Sequence, residues 1–470
     1  MNTTRSEAAK DHLSKTIRVV FLVAVVFTAL AHGAVEPWSV FVFEGIIVII
    51  LLLWSVKVAA DRRLSLNVPS IFFPIVSLIA VALVQSVALT DGSGRWMSLS
   101  KNVESTRGAV IVLIFLSISF LIATNFFDTR RRLSGVAQFL VIYGLAMAVF
   151  ALVQHFTWNG SFYWLRHTEM TSPFGPFANH NHFAGYMELL IPLAVALVLR
   201  RAVRPELRML YGFAAAMMGV AAVLSLSRGG IISVAASMIF LAVMSYRVSR
   251  RTEPVGDTRG LPQFVSQSAI VLVIVAVITA GIFWIGADPV INRVTRGQAP
   301  AGQTSTESFF SSRGWVWRDT FTMIRANPLL GVGFGAYETA FSMYTKSDGS
   351  LRVPQSHNDY LQIVADCGIV GGLIALWFIV LVFRSVVRGA RSRDPLVSAL
   401  ALGSGAGLFA MLVHSLFDFN LQVPSNALLF LLLSAVATRA GAFAVDREGS
   451  TALRPSRTAA RSEKAVALSV

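Results

Sequence analysis

The sequence predicts an all-α, polytopic membrane protein of about twelve transmembrane helices with one large external loop. Three observations carry that prediction. Of 470 residues, 55% are hydrophobic and 14% charged, with a mean hydropathy of +0.65. A soluble fold has too little interior to hide so much apolar surface. The apolar residues also gather into runs of the length a bilayer demands, roughly 20 residues each. Finally, the net charge of +15 is not spread evenly but collects on alternate connections between those runs.

Runs free of Lys and Arg fall near 19–34, 38–56, 69–90, 108–127, 133–154, 183–199, 209–226, 229–246, 268–287, 359–383, 395–417 and 424–438. With residues 1–18 in the cytoplasm, the inner connections are 57–68, 128–132, 200–208, 247–267 and 384–394, and the chain after 438 ends inside too. Together these segments hold 28 of the 40 basic residues, including Arg130-Arg131-Arg132, Arg200-Arg201 and Arg250-Arg251. The basic charge therefore reports topology, and a nucleic-acid partner is set aside. The first run follows Lys15 and Arg18 and precedes Ala31-His32-Gly33-Ala34, so it also reads as a signal peptide. Either reading leaves the later topology unchanged. Residues 19–445 form the expected membrane domain, and the Arg/Ser/Ala-rich segment 446–470 is an expected disordered cytoplasmic tail. A single cysteine, Cys367, excludes an internal disulfide and a cysteine-based metal site.

The external side is polar and aromatic. It comprises the connection 155–182, the turn Ser227-Arg228-Gly229-Gly230 and the 71-residue loop 288–358. Within that loop, Ala299 to Ser312 reads as irregular. Arg313 to Ala326 reads as an amphipathic helix with Trp317, Phe321 and Ile324 on one face, stopped by Asn327-Pro328. Gly331-x-Gly333-x-Gly335 follows no strand and is no nucleotide motif. His180-x-His182 reads as a polar loop, and neither a metal nor a cofactor is expected.

Ser356-x-x-Asp359 fits a helix start, with Ser356 as N-cap and His357 in the first turn beside Tyr360. The positive helix end disfavours a further charge on the imidazole, leaving the form a general base needs. The competing reading is a helix-start histidine at the lipid–water border. Arg228, the one charge in a short external turn, is either a lipid-phosphate anchor or a fixed guanidinium that grips a phosphate. Arg313 is placed to point at a ligand, whereas Arg318 and Asp319 read as pairing with neighbours. Glu44 and Glu188 each lie roughly 9 Å below the outer surface at 1.5 Å per residue. Asp366 and Asp418 are similarly shallow. His414 and Asp418, four apart, read as one helix face making helix–helix hydrogen bonds.

The segments Phe177-Ala178-Asn179-His180-Asn181, Ser227-Arg228-Gly229-Gly230 and Arg313-Gly314-x-x-Trp317 occur in this order along the chain. Asn327-Pro328-Leu329-Leu330-Gly331-x-Gly333, Ser356-His357-Asn358-Asp359-Tyr360-Leu361 and His414-Ser415-Leu416-Phe417-Asp418 follow them. Across about 170–430 this pattern resembles the O-antigen ligase and polymerase superfamily of bacterial membrane glycosyltransferases. The resemblance implies a GT-C-like, metal-independent, inverting enzyme in the inner membrane, its active site facing the periplasm. The donor would be a glycan on undecaprenyl diphosphate, drawn from the membrane lipid, and the acceptor lipid A-core or a growing polysaccharide. By motif match His357 takes the catalytic position, and Arg228 and Arg313 the diphosphate-binding positions. Asn181, Glu188, Tyr360 and Asp359 are secondary candidates for acceptor contact or support.

Ligase and polymerase are not separated by these motifs. A flippase or transporter is the alternative from another class. It calls for charges at the midplane and paired broken helices, and neither is evident here. A peptidoglycan polymerase would lean on an external carboxylate, and neither Glu307 nor Asp348 stands out.

Overall fold

The computed structural model describes residues 2–90, 96–167, 173–252, 305–345 and 352–452. Among these residues lie thirteen α-helices and two short β-hairpins. In order the helices are α1 (Asn2–Leu30), α2 (Pro37–Asp61), α3 (Phe72–Gln85), α4 (Val103–Phe126), α5 (Arg130–Phe156), α6 (His180–Leu199) and α7 (Pro205–Leu224). They continue with α8 (Arg228–Thr252), α9 (Ser305–Ala326), α10 (Tyr337–Tyr344), α11 (Asp359–Ala390), α12 (Pro395–His414) and α13 (Pro424–Ala452). Local chemistry sets many of the starts. Asn102, Thr129, Asn179, Asn358 and Asp394 each accept a backbone N–H of the turn they open. Pro37, Pro205 and Pro395 stand where the missing N–H costs nothing.

Ten helices are long and apolar enough to cross a membrane: α1, α2, α4 to α8 and α11 to α13. The protein is an integral membrane protein of the all-α class. The third expected run is shorter than anticipated. At 14 residues α3 covers about 21 Å, less than the roughly 30 Å of a hydrocarbon core. The chain enters it as coil and leaves it through the hairpin Ala88–Thr90/Trp96–Ser98. The ninth run, 268–287, the loop residues 288–304, Asp348 and residues 453–470 of the expected tail lie outside the described residues, as does the side chain of Glu307. Residues 446–452, expected to be disordered, are instead the helical end of α13.

The centre is α6, whose apolar stretch is wholly buried, with α12 packed along it. A side chain at Gly407 would fall 2.5 Å from the Leu189 carbonyl oxygen, so the two helices meet backbone to backbone. Helices α2 and α11 sit at the periphery and keep most of their surface for lipid.

Two expectations about the external loop change. Residues 305–312, expected to be irregular, are already helical in α9. Its buried stripe is Val316, Thr320 and Met323, while Phe321 is exposed. Asn327-Pro328 does end the helix, as their chemistry demands.

The glycine-rich turn has a structural task. Helix α11 breaks at Gly368, where φ is 63° and ψ −164°. That break strips intrahelical partners from nearby backbone groups, which cannot stay unpaired when buried. Val332 and Gly333 donate to the carbonyls of Ala365 and Asp366 at 3.0 Å, and Ile369 donates to Pro328 at 2.9 Å. Gly331 has φ 70°, and a side chain on it would lie 2.5 Å from the Asp366 backbone. The buried Gln85 side chain completes the junction, donating to Leu330 and Asp366 carbonyls and accepting from Phe334.

Candidate functional site

Five consecutive residues, beginning with the last of α12, touch α6, α9 and the start of α11. His414 meets α6 through Glu188. Ser415 Oγ donates to Asp359 Oδ2 at 2.8 Å, and Asp359 N–H returns a bond to the Ser415 carbonyl at 2.9 Å. The Leu416 carbonyl accepts from Asn358 Nδ2 at 3.1 Å. The Phe417 carbonyl accepts from Arg313 Nη1. Asp418 accepts from Asn181 and faces His357 and Arg313. This strap, 414–418, gathers residues from α6, α9 and the start of α11.

His357 does not lie in a helical turn. The N-cap of α11 is Asn358, whose Oδ1 accepts from Tyr360 and Leu361 N–H at 3.0 Å, not Ser356. Ser356 Oγ instead donates to the Asn358 carbonyl, and Ser356 N–H is held by Gln362 Oε1. Asp359 is turned to the strap and closes no capping box. Between these pinned neighbours His357 takes φ 53°, a left-handed conformation few residues other than glycine adopt. Such strain persists only where surroundings enforce it. Its effect is to aim the ring at Asp418, Nδ1 to Oδ1 being 3.3 Å, with Phe419 stacked edge-on at 5.0 Å. About a third of the imidazole stays open to solvent.

Arg313 reaches the same carboxylate, Nη2 lying 3.9 Å from Asp418 Oδ2, with a fifth of its side chain exposed. One turn on, Trp317 Nε1 donates to the Ser356 carbonyl at 3.0 Å and ties α9 over the His357 segment. Burial pushes the Arg313 guanidinium below its ordinary value, and Asp418 partly restores it. Burial likewise pushes Asp418 upward. The His357 hydrogen bond and the charges of His182 and Arg313 outweigh that cost and hold its carboxyl well below the usual range. The Phe419 N–H adds a bond at 2.9 Å. Asp418 is therefore a fixed anion.

The other expected residues sort by distance from this point. Asn181 is at it. Tyr360 donates its hydroxyl to the Leu412 carbonyl at 2.8 Å, and Asp359 is tied to Ser415 and the Leu421 N–H. Glu188 lies deeper and holds His414 Nδ1 at 3.0 Å, both fully buried. Arg228 is the first residue of α8 rather than part of a turn, and its neighbour Gly229 stands against the His414 ring. Arg318, expected to pair with a neighbour, pairs with Asp319 at 3.0 Å. Glu44 does not join the cluster: it is half-buried on α2, which packs on α1 and α4. Asp366 belongs to the Gly368 junction, where Gln362 and Gly335 bond its Oδ2 at 3.3 Å.

Asp418 is the residue that sequence reasoning underrated. Its spacing from His414 suggested one helix face, but α12 ends at His414 and the two side chains have separate partners. Beneath Tyr360 and Ser415, an apolar cavity of about 400 Å³ opens between α3, α4, α11 and α13, with Ile75, Val112, Ile363, Phe378 and Phe430 in its walls.

Residues 213–376, which contain Arg228, Arg313 and His357, match the family described as O-Antigen ligase. No curated protein matches the chain.

Proposed function

We infer that this chain, a member of the O-antigen ligase and polymerase superfamily by its match over residues 213–376, transfers a glycan from undecaprenyl diphosphate to an acceptor hydroxyl. In this reading the reaction runs at the periplasmic face of the bacterial inner membrane. The acceptor is lipid A-core in the ligase form, or a growing chain in the polymerase form. The two forms share one chemistry and differ in whether glycan appears on a new carrier or lengthens on the old one.

One observation supports this most. An imidazole and a guanidinium from segments 44 residues apart converge on a single buried carboxylate, and the imidazole is backbone-strained to do so. With Nδ1–H directed at Asp418, the lone pair of His357 sits on Nε2, free for a proton. The acceptor oxygen attacks the anomeric carbon as its proton passes to Nε2. The bond from that carbon to the diphosphate oxygen breaks, and the electron pair leaves with undecaprenyl diphosphate. Attack opposite the leaving group inverts the anomeric centre. A lipid diphosphate leaves without protonation, so fixed guanidinium charge is what it requires, and Arg313 and Arg228 supply it without a metal. The apolar cavity beside Tyr360 suits the prenyl chain, and α9, tied down by Trp317, covers the reacting centre against water.

His357→Ala in reconstituted liposomes is expected to lower transfer of labelled glycan by roughly 10²- to 10⁴-fold, the usual scale of a lost general base. Membrane insertion should be unaffected. Transfer at the normal rate would falsify the assignment.

A further inference from the structure

The start of α8 rests on a side chain that the chemistry above does not use. A Cβ at Gly229 would lie 2.7 Å from His414 Cδ2 and 2.8 Å from its Nε2. At Gly230 it would lie 2.6 Å from the Ala184 Cβ of α6. Ser227 Oγ accepts from the Gly230 N–H at 3.1 Å and closes the first turn. The backbone flanking Arg228 is thus seated directly on the His414 ring and on α6. The ring cannot swing, because Glu188 holds its Nδ1 at 3.0 Å and neither residue reaches solvent. Burying a carboxylate beside an imidazole costs desolvation that only a close, well-aligned pair offsets, so the contact holds both groups in one geometry. Three residues further along the strap, the Phe417 carbonyl holds Arg313.

We propose that His414, locked by Glu188, is a positioning residue that sets where Arg228 stands relative to Arg313. The two guanidiniums then take their spacing from opposite ends of one short segment. This rests on the reading of Arg228 as a diphosphate ligand. The ligand class it serves is a lipid diphosphate, whose two phosphoryl groups need two cations at a fixed separation.

The test is binding of farnesyl diphosphate to the purified full-length protein in detergent, with melting temperature followed in parallel. His414→Ala and Gly229→Ala are each expected to weaken binding roughly tenfold, about the loss of one charge-assisted contact. In the double variant the two losses should not add, since the new methyl group fills space the ring has left. In an Arg228→Ala background, His414→Ala should weaken binding no further, because nothing remains to be positioned. His414→Gln, which keeps an N–H for Glu188, serves where the alanine variant does not fold and should retain more affinity. Equal weakening by the His414 change with and without Arg228, or wild-type binding by both His414 variants, overturns the proposal. Wild-type binding by Arg228→Ala alone removes Arg228 from the diphosphate site and overturns both readings.

Discussion

Asp418 accepts from Asn181 and Phe419 while facing His357 and Arg313, and no neutral side chain can satisfy so many donors at once. Asp418→Asn keeps the shape but offers one acceptor oxygen and two unwanted donors. It is expected to lower glycan transfer by about 10²-fold or more, as loss of a base-orienting carboxylate does elsewhere. The same residue sets an acid limit on stability. Its folded carboxyl is held below the ordinary value of about 4, so the unfolded chain takes up the proton first. Its contribution is complete above that value and is lost as pH falls toward the lower folded one. Melting temperature measured from pH 6 down to 3 should therefore drop in its lower range, and Asp418→Asn should flatten that drop. His357 and Arg313 were legible in the sequence because polar groups at a membrane border are conspicuous. Asp418 was equally polar, but its role depends on α12 stopping at His414. Nothing in Ser415-Leu416-Phe417 announces that stop, because all three can extend a helix.

At the scale of the element, α11 shows what a pattern of residues can and cannot reveal. Its existence followed from a long apolar run, and the charges flanking that run predict an external start. Its cap was misjudged by two residues, because Ser356, Asn358 and Asp359 all have side chains that bond backbone groups near a helix start. Asn358→Ala removes the bonds to Tyr360 and Leu361 and the one to Leu416, and should cost about 0.5–2 kcal/mol. It should also reduce transfer, since His357 loses a pinned neighbour. The Gly368 break was not legible: isolated glycines are ordinary within membrane helices. Its left-handed backbone and its fit against Leu329, where a Cβ would fall 2.2 Å from the backbone, mark this one as different. Gly368→Ala should be the harsher of the two changes, read as lower yield and melting temperature of the detergent-solubilised protein.

For the whole molecule, the alternation of basic and polar connections predicts which ends face which compartment. Cys367 is buried, so single cysteines can be introduced beside it without background labelling. Leu165→Cys, on the exposed external hairpin, should react with an impermeant maleimide in intact spheroplasts. Arg204→Cys, at the start of α7, should react only after permeabilisation. The reverse pattern would invert the topology and remove the site from the periplasm. Hydropathy located ten of the twelve expected runs on helices long enough to span, whereas the third run gives only the short α3 and the ninth lies outside the described residues. What stayed hidden was α6 as the wholly enclosed centre, since enclosed and lipid-facing helices are both apolar and differ only in their neighbours.

The break at Gly368 has a mechanical consequence. Past it, residues 369–390 measure about 33 Å, close to a single hydrocarbon thickness. A thicker or thinner lipid environment changes the tilt of that rod. The turn 328–333 is bonded to both sides of the break, through Ala365 and Asp366 before it and Ile369 after it, so the part bearing Asn358 and His357 is fastened to that turn and does not hang from the rod alone.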